Sequence, residues 1–271
     1  MKAEKRARKP RENGYIIWEN DEIVAIATGF DSKSSNSKTQ DMIQTYFLLK
    51  DVHPVEAVAQ GLDKRVCFDC PFSGGNGCYV EVGKAPVSMW RKYRRGGYHY
   101  LIDLSLVRGR KFRFGSYGEP VLLPIELVRT IAAASEGWTG YTHQWRNVAN
   151  LKYRDYFRAS TSDVDDQLAQ SWGWKTFCVS DRREGSILCP ASHEAIELAS
   201  KRHAWNSLYG SSKQWKQANC ADCGMCSGLL RKTPRGVVAN VAPNVFIPAH
   251  SNKGKKARKA IAKQAAYAAA A

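Results

Sequence analysis

Lys111-Phe112-Arg113-Phe114-Gly115-Ser116-Tyr117-Gly118-Glu119-Pro120-Val121-Leu122-Leu123-Pro124-Ile125-Glu126-Leu127-Val128-Arg129-Thr130-Ile131 changes its pattern midway. Residues 111–114 read as a strand, 115–120 as a turn, and 123–131 as a helix with proline near its first turn. The same alternation continues downstream. Residues 138–142 and 157–160 read as strands, 164–172 as a helix opening at the N-cap candidate Asp163, 175–179 as a strand and 187–189 as one more short strand. Strands alternating with helices at this spacing predict an α/β fold with a parallel sheet, a full or partial β/α barrel. Chemistry in such a barrel sits at the C-terminal ends of the strands. That rule places Tyr117, Glu119, Tyr141, Thr142, His143, Gln144, Ser160, Thr161, Asp163 and Asp181 near one mouth.

Working outward, residues 1–14 form a basic N-terminal arm and 15–190 the barrel domain. The domain opens with a β-rich entry up to about residue 50, in which Tyr15-Ile16-Ile17-Trp18 and Ile23-Val24-Ala25-Ile26-Ala27 are apolar runs of strand composition. The Ser/Asn/Lys-rich stretch 31–39 is a loop rich in donors, able to hold an anion or simply to be solvated. Residues 191–250 form a Cys-rich, metal-binding segment packed on the barrel, and 251–271 a basic Ala/Lys-rich tail of high helix propensity. No internal repeat is visible.

Seven of the eight cysteines fall into two sets, Cys67-x2-Cys70-x7-Cys78 within a loop at 66–84, and Cys189 with Cys220-x2-Cys223-x2-Cys226. Thiolate is a soft ligand suited to zinc or iron–sulfur clusters, and two thiolates separated by two residues reach one centre from a tight loop. Gly74-Gly75-Asn76-Gly77 and Gly224 permit the backbone paths such loops need. Structural sites are usually closed, whereas reactive ones keep a coordination position open. The three-cysteine set therefore reads as the reactive site and the four-cysteine set as its support. His53 or His99 is an alternative distant ligand for the first set, and His193 and His203 rival Cys189 in the second. Cys178, inside an apolar strand, reads as a small buried hydrophobe.

The segment from Phe114 to Leu127, coming after the three-cysteine loop, resembles the strand–Gly-Gly-Glu-Pro–helix element of radical S-adenosylmethionine enzymes. Family spacing of the cysteines is three residues and then two; here it is two and then seven, and Tyr117 replaces the first glycine. Over about residues 36–228 the chain is more similar to a phage-encoded family of three-cysteine proteins built in the style of radical SAM barrels. That family shares a CxxCP…CY loop, a Gly-x-Tyr-Gly-(Asp/Glu)-Pro turn and the strand Thr139-Gly140-Tyr141-Thr142-His143-Gln144-Trp145. The resemblance implies a [4Fe–4S] cluster on Cys67, Cys70 and Cys78 whose open iron binds S-adenosylmethionine, with Tyr117, Gly118 and Glu119 at the cofactor. Zinc or a second iron–sulfur cluster is expected on Cys189, Cys220, Cys223 and Cys226.

Hydrophobic residues at 44% and charged residues at 24% are globular values, mean hydropathy is −0.44, and no apolar run approaches the roughly 20 residues that span a bilayer. The start of the chain is basic with no apolar stretch behind it, so no secretory signal is read there and the expected compartment is the cytoplasm, that of the host if the protein is phage-encoded. In a reducing compartment these cysteines read as metal ligands and not as disulfides. The formal charge of +16 is concentrated at the ends: residues 1–12 carry a net +4 and 251–271 a net +6. Basic tails attract phosphate backbones, and equally serve as solubilising ends. Arg91, Lys92, Tyr93, Arg94 and Arg95, beside Trp90, suit base stacking and phosphate pairing, or a solvated helix with Trp90 and Tyr93 on the core.

Function expected from these features is an iron–sulfur, radical-SAM-like protein acting on a nucleic acid or nucleotide, with His143, Gln144 and Asp163 orienting the substrate. A zinc-stabilised, non-catalytic nucleic-acid-binding protein is the competing expectation. A barrel-type DNA base-modifying transglycosylase comes third, since the Asp-Ser-Gly-Gly-Phe-like nucleophile element is missing where Asp31-Ser32 runs into Lys33-Ser34-Ser35.

Overall fold

The computed structural model describes residues 12–181, 184–208, 217–249 and 251–270, and for 203–208, 251–252 and 267–270 the backbone alone. The basic arm at 1–11 and the side chain of His203 lie outside this description. Nine strands form the main sheet: β1 (Gly14–Glu19), β2 (Ile23–Thr28), β3 (Ile43–Leu49), β4 (Lys111–Tyr117), β5 (Gly137–Thr142), β6 (Arg158–Ser162), β7 (Thr176–Val179), β8 (Ser186–Leu188) and β11 (Asn244–Ile247). A separate hairpin pairs β9 (Leu230–Thr233) with β10 (Gly236–Ala239). Sheet order is β1-β2-β3-β4-β5-β6-β7-β11-β8, antiparallel through β3 and parallel from β3 onward. Its two ends are not paired with each other, so of the two barrel forms expected the open one is compatible with this sheet.

Helices α1 (Pro54–Ala59), α2 (Lys64–Cys67) and α3 (Ala85–Arg94) link β3 to β4, α4 (Ile125–Ala134) links β4 to β5, and α5 (Asp166–Ser171) links β6 to β7. After β8 come α6 (His193–Leu208), α7 (Cys220–Cys223) and, at the end, α8 (Ser251–Ala270). Strand β2 is buried almost throughout, as expected where both faces are covered, while β4 alternates. Phe112 and Phe114 face the core, and Lys111 and Arg113 the opposite, concave face. Helix α4 buries Val128, Ile131 and Ala132, a three-to-four spacing that lays one stripe on the sheet.

The core is an aromatic chain. Phe112 and Phe114 rings lie 4.7 Å apart, Phe114 and Phe157 5.4 Å, and Tyr153 stacks on Phe157 at 5.7 Å. Gly140 in β5 makes room for it, because a Cβ there would stand 2.5 Å from Phe157.

Three expectations are revised. The helix read from residue 123 starts at Ile125, because Pro124 is extended and residues 120–122 form their own tight turn. The helix read from Val164 with Asp163 as cap begins at Asp166, with Asp165 in the cap position. Asp165 Oδ1 accepts from the Ser162 N–H at 2.7 Å and the Ser162 hydroxyl at 3.2 Å, and the resulting turn uses up the residues expected to be helical. The segment 191–250 does more than pack on the sheet, since its β11 inserts between β7 and β8.

Candidate active site between two cysteine loops

Concave-face side chains from β4, β5, β6, β7 and β11 line a cavity of about 510 Å³. All seven cysteines of the two sets reach it, as do Tyr117, Gly118, Glu119 and His143. The two sets therefore face one space. Cys178 is fully buried in β7 and stands apart from it.

The first loop is built by its backbone. Asp63 Oδ2 accepts from the Gly74 N–H at 2.8 Å, the Ser73 hydroxyl donates to the Cys70 carbonyl at 2.8 Å, and the Cys78 N–H to the Phe72 carbonyl at 3.2 Å. Gly77, at φ +112°, touches α8 so closely that a Cβ would meet the Ala257 nitrogen at 2.6 Å. The turn at 118–119 joins this loop through the Glu119 N–H, which donates to the Val66 carbonyl at 2.7 Å, one residue before Cys67.

Glu119 is buried at the end of β4, with donors from the end of β5 converging on it. Thr142 donates its hydroxyl to Oε2 at 2.6 Å, the His143 N–H approaches Oε1 at 3.1 Å, and His143 Nδ1 lies 3.0 Å from Oε1. His143 Nε2 is buried without a well-formed hydrogen bond, beside Cys70. Burial alone would make this imidazole less basic, but Cys70 and Glu119 outweigh it and raise its pKa well above the ordinary histidine value.

The second loop is held from three sides. The Cys220 N–H donates to the Lys38 carbonyl at 2.7 Å, so the Ser/Asn/Lys loop serves as an anchor here. The Gly140 N–H donates to the Cys226 carbonyl at 3.1 Å, and Arg158, fully buried on β6, donates to the Met225 carbonyl at 2.8 Å and the Thr176 carbonyl at 2.9 Å. Asn219 caps α7, accepting from the Asp222 N–H at 2.8 Å, and Gly224 ends it at φ +63°.

Among the described residues, no group of three or more His, Cys, Asp or Glu side chains is already drawn together to hold a metal ion. The donor set nevertheless fits one. In three cases the sulfur is met by the backbone N–H two residues on: Val80 at Cys78, Ala191 at Cys189 and Met225 at Cys223. Such N–H groups favour a thiolate. Burial works the other way, and with the neighbouring thiols it holds Cys67 far above its ordinary pKa, while burial pushes Cys226 up to about 12. Left to themselves these buried thiols stay protonated, and a bound metal ion would displace their protons.

The other expected residues divide. Gln144 and Asp163 do not line the cavity; Gln144 bonds to Asp69, and Asp163 is exposed. His53 packs edge-on against Trp90 and His99 pairs with Glu12 at 3.1 Å, so neither reaches the first loop. His193, at the start of α6, is also outside the cavity lining. In α3 the aromatics turn inward: Trp90 donates to the Leu49 carbonyl at 3.1 Å and Tyr93 to Glu19 at 3.1 Å. Arg94 pairs with Asp51, while Arg91 and Arg95 are exposed and Lys92 lies over Tyr98 at 4.3 Å. This is the solvated-helix arrangement, with no aromatic presented for stacking in 91–95. Two residues that sequence reasoning passed over, Arg113 and Arg158, lie on the concave face. The alternation of 111–114 and the position of Arg158 in its strand were the signals that could have found them.

Comparison with protein-family models, with curated proteins and with solved structures gives no match. No helix among the described residues is long and apolar enough to cross a membrane.

Proposed function

We propose that the cavity is the reaction site of an iron–sulfur enzyme of radical SAM type. The observation that carries this reading is the placement of the three-cysteine loop and the Gly118-Glu119 turn on one wall of a cavity at the C-terminal end of β4. Cys67, Cys70 and Cys78 would hold a [4Fe–4S] cluster, and Tyr117, Gly118 and Glu119 would face S-adenosylmethionine. Cys189, Cys220, Cys223 and Cys226 would hold zinc or a second cluster. A cluster with one iron open supplies, when bound, a single electron to the sulfonium cofactor.

The chain's own residues give the site both polar and apolar faces. Glu119, already accepting from Thr142 and His143, is fixed in orientation and presents a carboxylate to an ammonium group on the cavity side. His143 keeps Nδ1 on Glu119, leaving Nε2 as the atom at which a proton is held or released toward the cavity. Phe177, Val179, Val245 and Ile247 make part of the lining apolar.

A zinc-only, non-catalytic nucleic-acid-binding protein is the second reading, favoured by the exposed Lys255, Lys256, Lys259 and Lys263 along α8. Protein purified without oxygen and assayed for iron, sulfide and zinc separates the two. Iron with sulfide and the broad visible absorption of a cluster, lost in Cys67→Ser, support the enzyme. Zinc alone at both sites overturns it.

A further inference from the structure

Among the described residues, Arg113 is the cavity-lining guanidinium that the site described above does not use. It stands mid-strand on β4, four residues before Tyr117, so it lies up to about 13 Å deeper than the Gly118-Glu119 turn at a rise of roughly 3.3 Å per residue. Its guanidinium is 5.9 Å from the ring of Tyr141. Among the described residues it forms no ion pair, and its Nε is buried with no hydrogen-bond partner. A guanidinium carries five donors in a planar fork, and enclosing it without an acceptor is costly unless something else supplies one.

Neutralising the second cysteine set does not account for it. Lys38 stands beside Cys189, Lys111 beside Cys223, and Arg158 beside both Cys223 and Cys226. That set already has its cations, and Lys111 and Arg158 are tied to backbone carbonyls. Arg113, whose contact is with the Tyr141 ring, lines the cavity shared by the two loops without an ion pair among the described residues.

We propose that Arg113 is the anion-binding residue of this cavity, and that the substrate is a small molecule with an apolar body and one carboxylate or phosphate group, taken up whole. The cavity of about 510 Å³, part of which the proposed cluster and cofactor would fill, leaves room for a small molecule only, and Phe177, Val179, Val245 and Ile247 give it an apolar side. Paired oxygens of either group match the guanidinium fork. The proposal rests on the cavity being the reaction site, and it narrows the substrate to a monomeric compound.

Binding of benzoate, phenyl phosphate and the neutral benzamide to protein purified without oxygen, with its metals in place, tests this by calorimetry. At least one anion is expected to bind at least tenfold more tightly than benzamide, and which of the two does so distinguishes carboxylate from phosphate. Arg113→Gln is expected to abolish that preference, while Arg108→Gln, at an exposed arginine outside the cavity lining, leaves it unchanged. If Arg113→Gln fails to fold, Arg113→Lys decides by the same comparison, since a point charge without the fork is expected to lose most of the preference. Equal binding of charged and neutral probes, no binding of any probe, or an anion preference that survives at Arg113 variants overturns the inference. Iron and sulfide measured on the same samples keep the outcomes apart. An Arg113-dependent preference in zinc-only protein leaves the anion site standing without the iron–sulfur reading, and a cluster without the preference does the reverse.

Discussion

Replacing Gly118 by alanine tests whether the turn at the end of β4 is packed as tightly on the cysteine loop as the structure implies. Gly118 has φ +80°, where a Cβ costs about 1–2 kcal/mol on backbone grounds alone. Its Cβ would also stand 2.7 Å from Phe47 Cβ and 3.2 Å from the Val66 carbonyl oxygen. Carbon contacts are optimal near about 3.5–4.0 Å, Phe47 is fully buried, and neither atom is the free end of a side chain. Overpacking of this kind adds about 1–3 kcal/mol, and strain on the Glu119-to-Val66 hydrogen bond adds about 1 kcal/mol more. Gly61 is the control, with φ +70° and nothing within 4 Å of an added methyl group, so Gly61→Ala carries the backbone cost only. Gly118→Ala is therefore expected to be less stable than Gly61→Ala by about 2–4 kcal/mol, or roughly 4–7 °C in melting temperature for a chain of this size. Thermal unfolding followed by circular dichroism measures the difference, and metal content follows the loop, because Val66 immediately precedes Cys67. Two variants melting within about 2 °C of each other would refute the packing argument.

Other expectations follow from the same geometry. Arg158→Met removes charged donors from the Met225 and Thr176 carbonyls and is expected to cost about 3–5 kcal/mol in urea titrations, with proteolysis near residues 217–228 as the local readout; unchanged stability would show that Arg158 does not hold the loop. Gly77→Ala is expected to push α8 off the first cysteine loop and speed metal loss to a chelator, while Gly75→Ala, with open space around it, leaves that rate near wild type. Glu19 is held below its ordinary value of 4.5, first by the Tyr100 hydroxyl and then by Lys50 and Tyr93, against the opposing effect of burial. Its folded-state pKa is depressed, so its contribution is present above pH 4.5 and is lost as pH falls through the lower folded value. Glu19→Gln should flatten that part of the stability curve, and an unaltered acid limb would count against the assignment.

What could be read from sequence was local. The segments 15–18 and 23–27 are short apolar runs, 111–114, 138–142 and 175–179 have mixed or alternating strand composition, and each coincides closely with a strand of the sheet. Spacing of the cysteines identified both loops, because ligand spacing is a property of adjacent residues. Long-range placement was not legible. Nothing in Asn244-Val245-Phe246-Ile247 announces that it inserts between β7 and β8, some 65 residues after the first of them, since its partners are chosen by packing and not by its own composition. The anchoring of Cys220 on Lys38 is equally invisible, joining a polar loop to a cysteine through a backbone carbonyl. Asp163 was chosen as a cap by residue type, and it was Ser162 that decided the matter by bonding to Asp165.

The surroundings of the two cysteine sets differ. Around Cys220, Cys223 and Cys226 the backbone is fixed by β5, β6 and the 36–38 loop, and a buried guanidinium stands behind it, a rigid setting that would suit the closed metal centre proposed for this set. Around Cys67, Cys70 and Cys78 the polar groups are instead Glu119 and His143, gathered at strand ends and turned toward the shared cavity, with α8 resting on the loop at Gly77. Lys253 of α8 reaches the Tyr79 carbonyl at 3.1 Å and pairs with Glu81, so the helix that covers this loop is fastened to it by an exposed ion pair. Exposed pairs contribute little, about 0–1 kcal/mol, and are weakened by salt. Arg258 of the same helix pairs with Asp181 at 3.1 Å, Gln264 reaches Asp165 at 3.3 Å and Ala257 is buried, so α8 is held over this loop by packing more than by that ion pair.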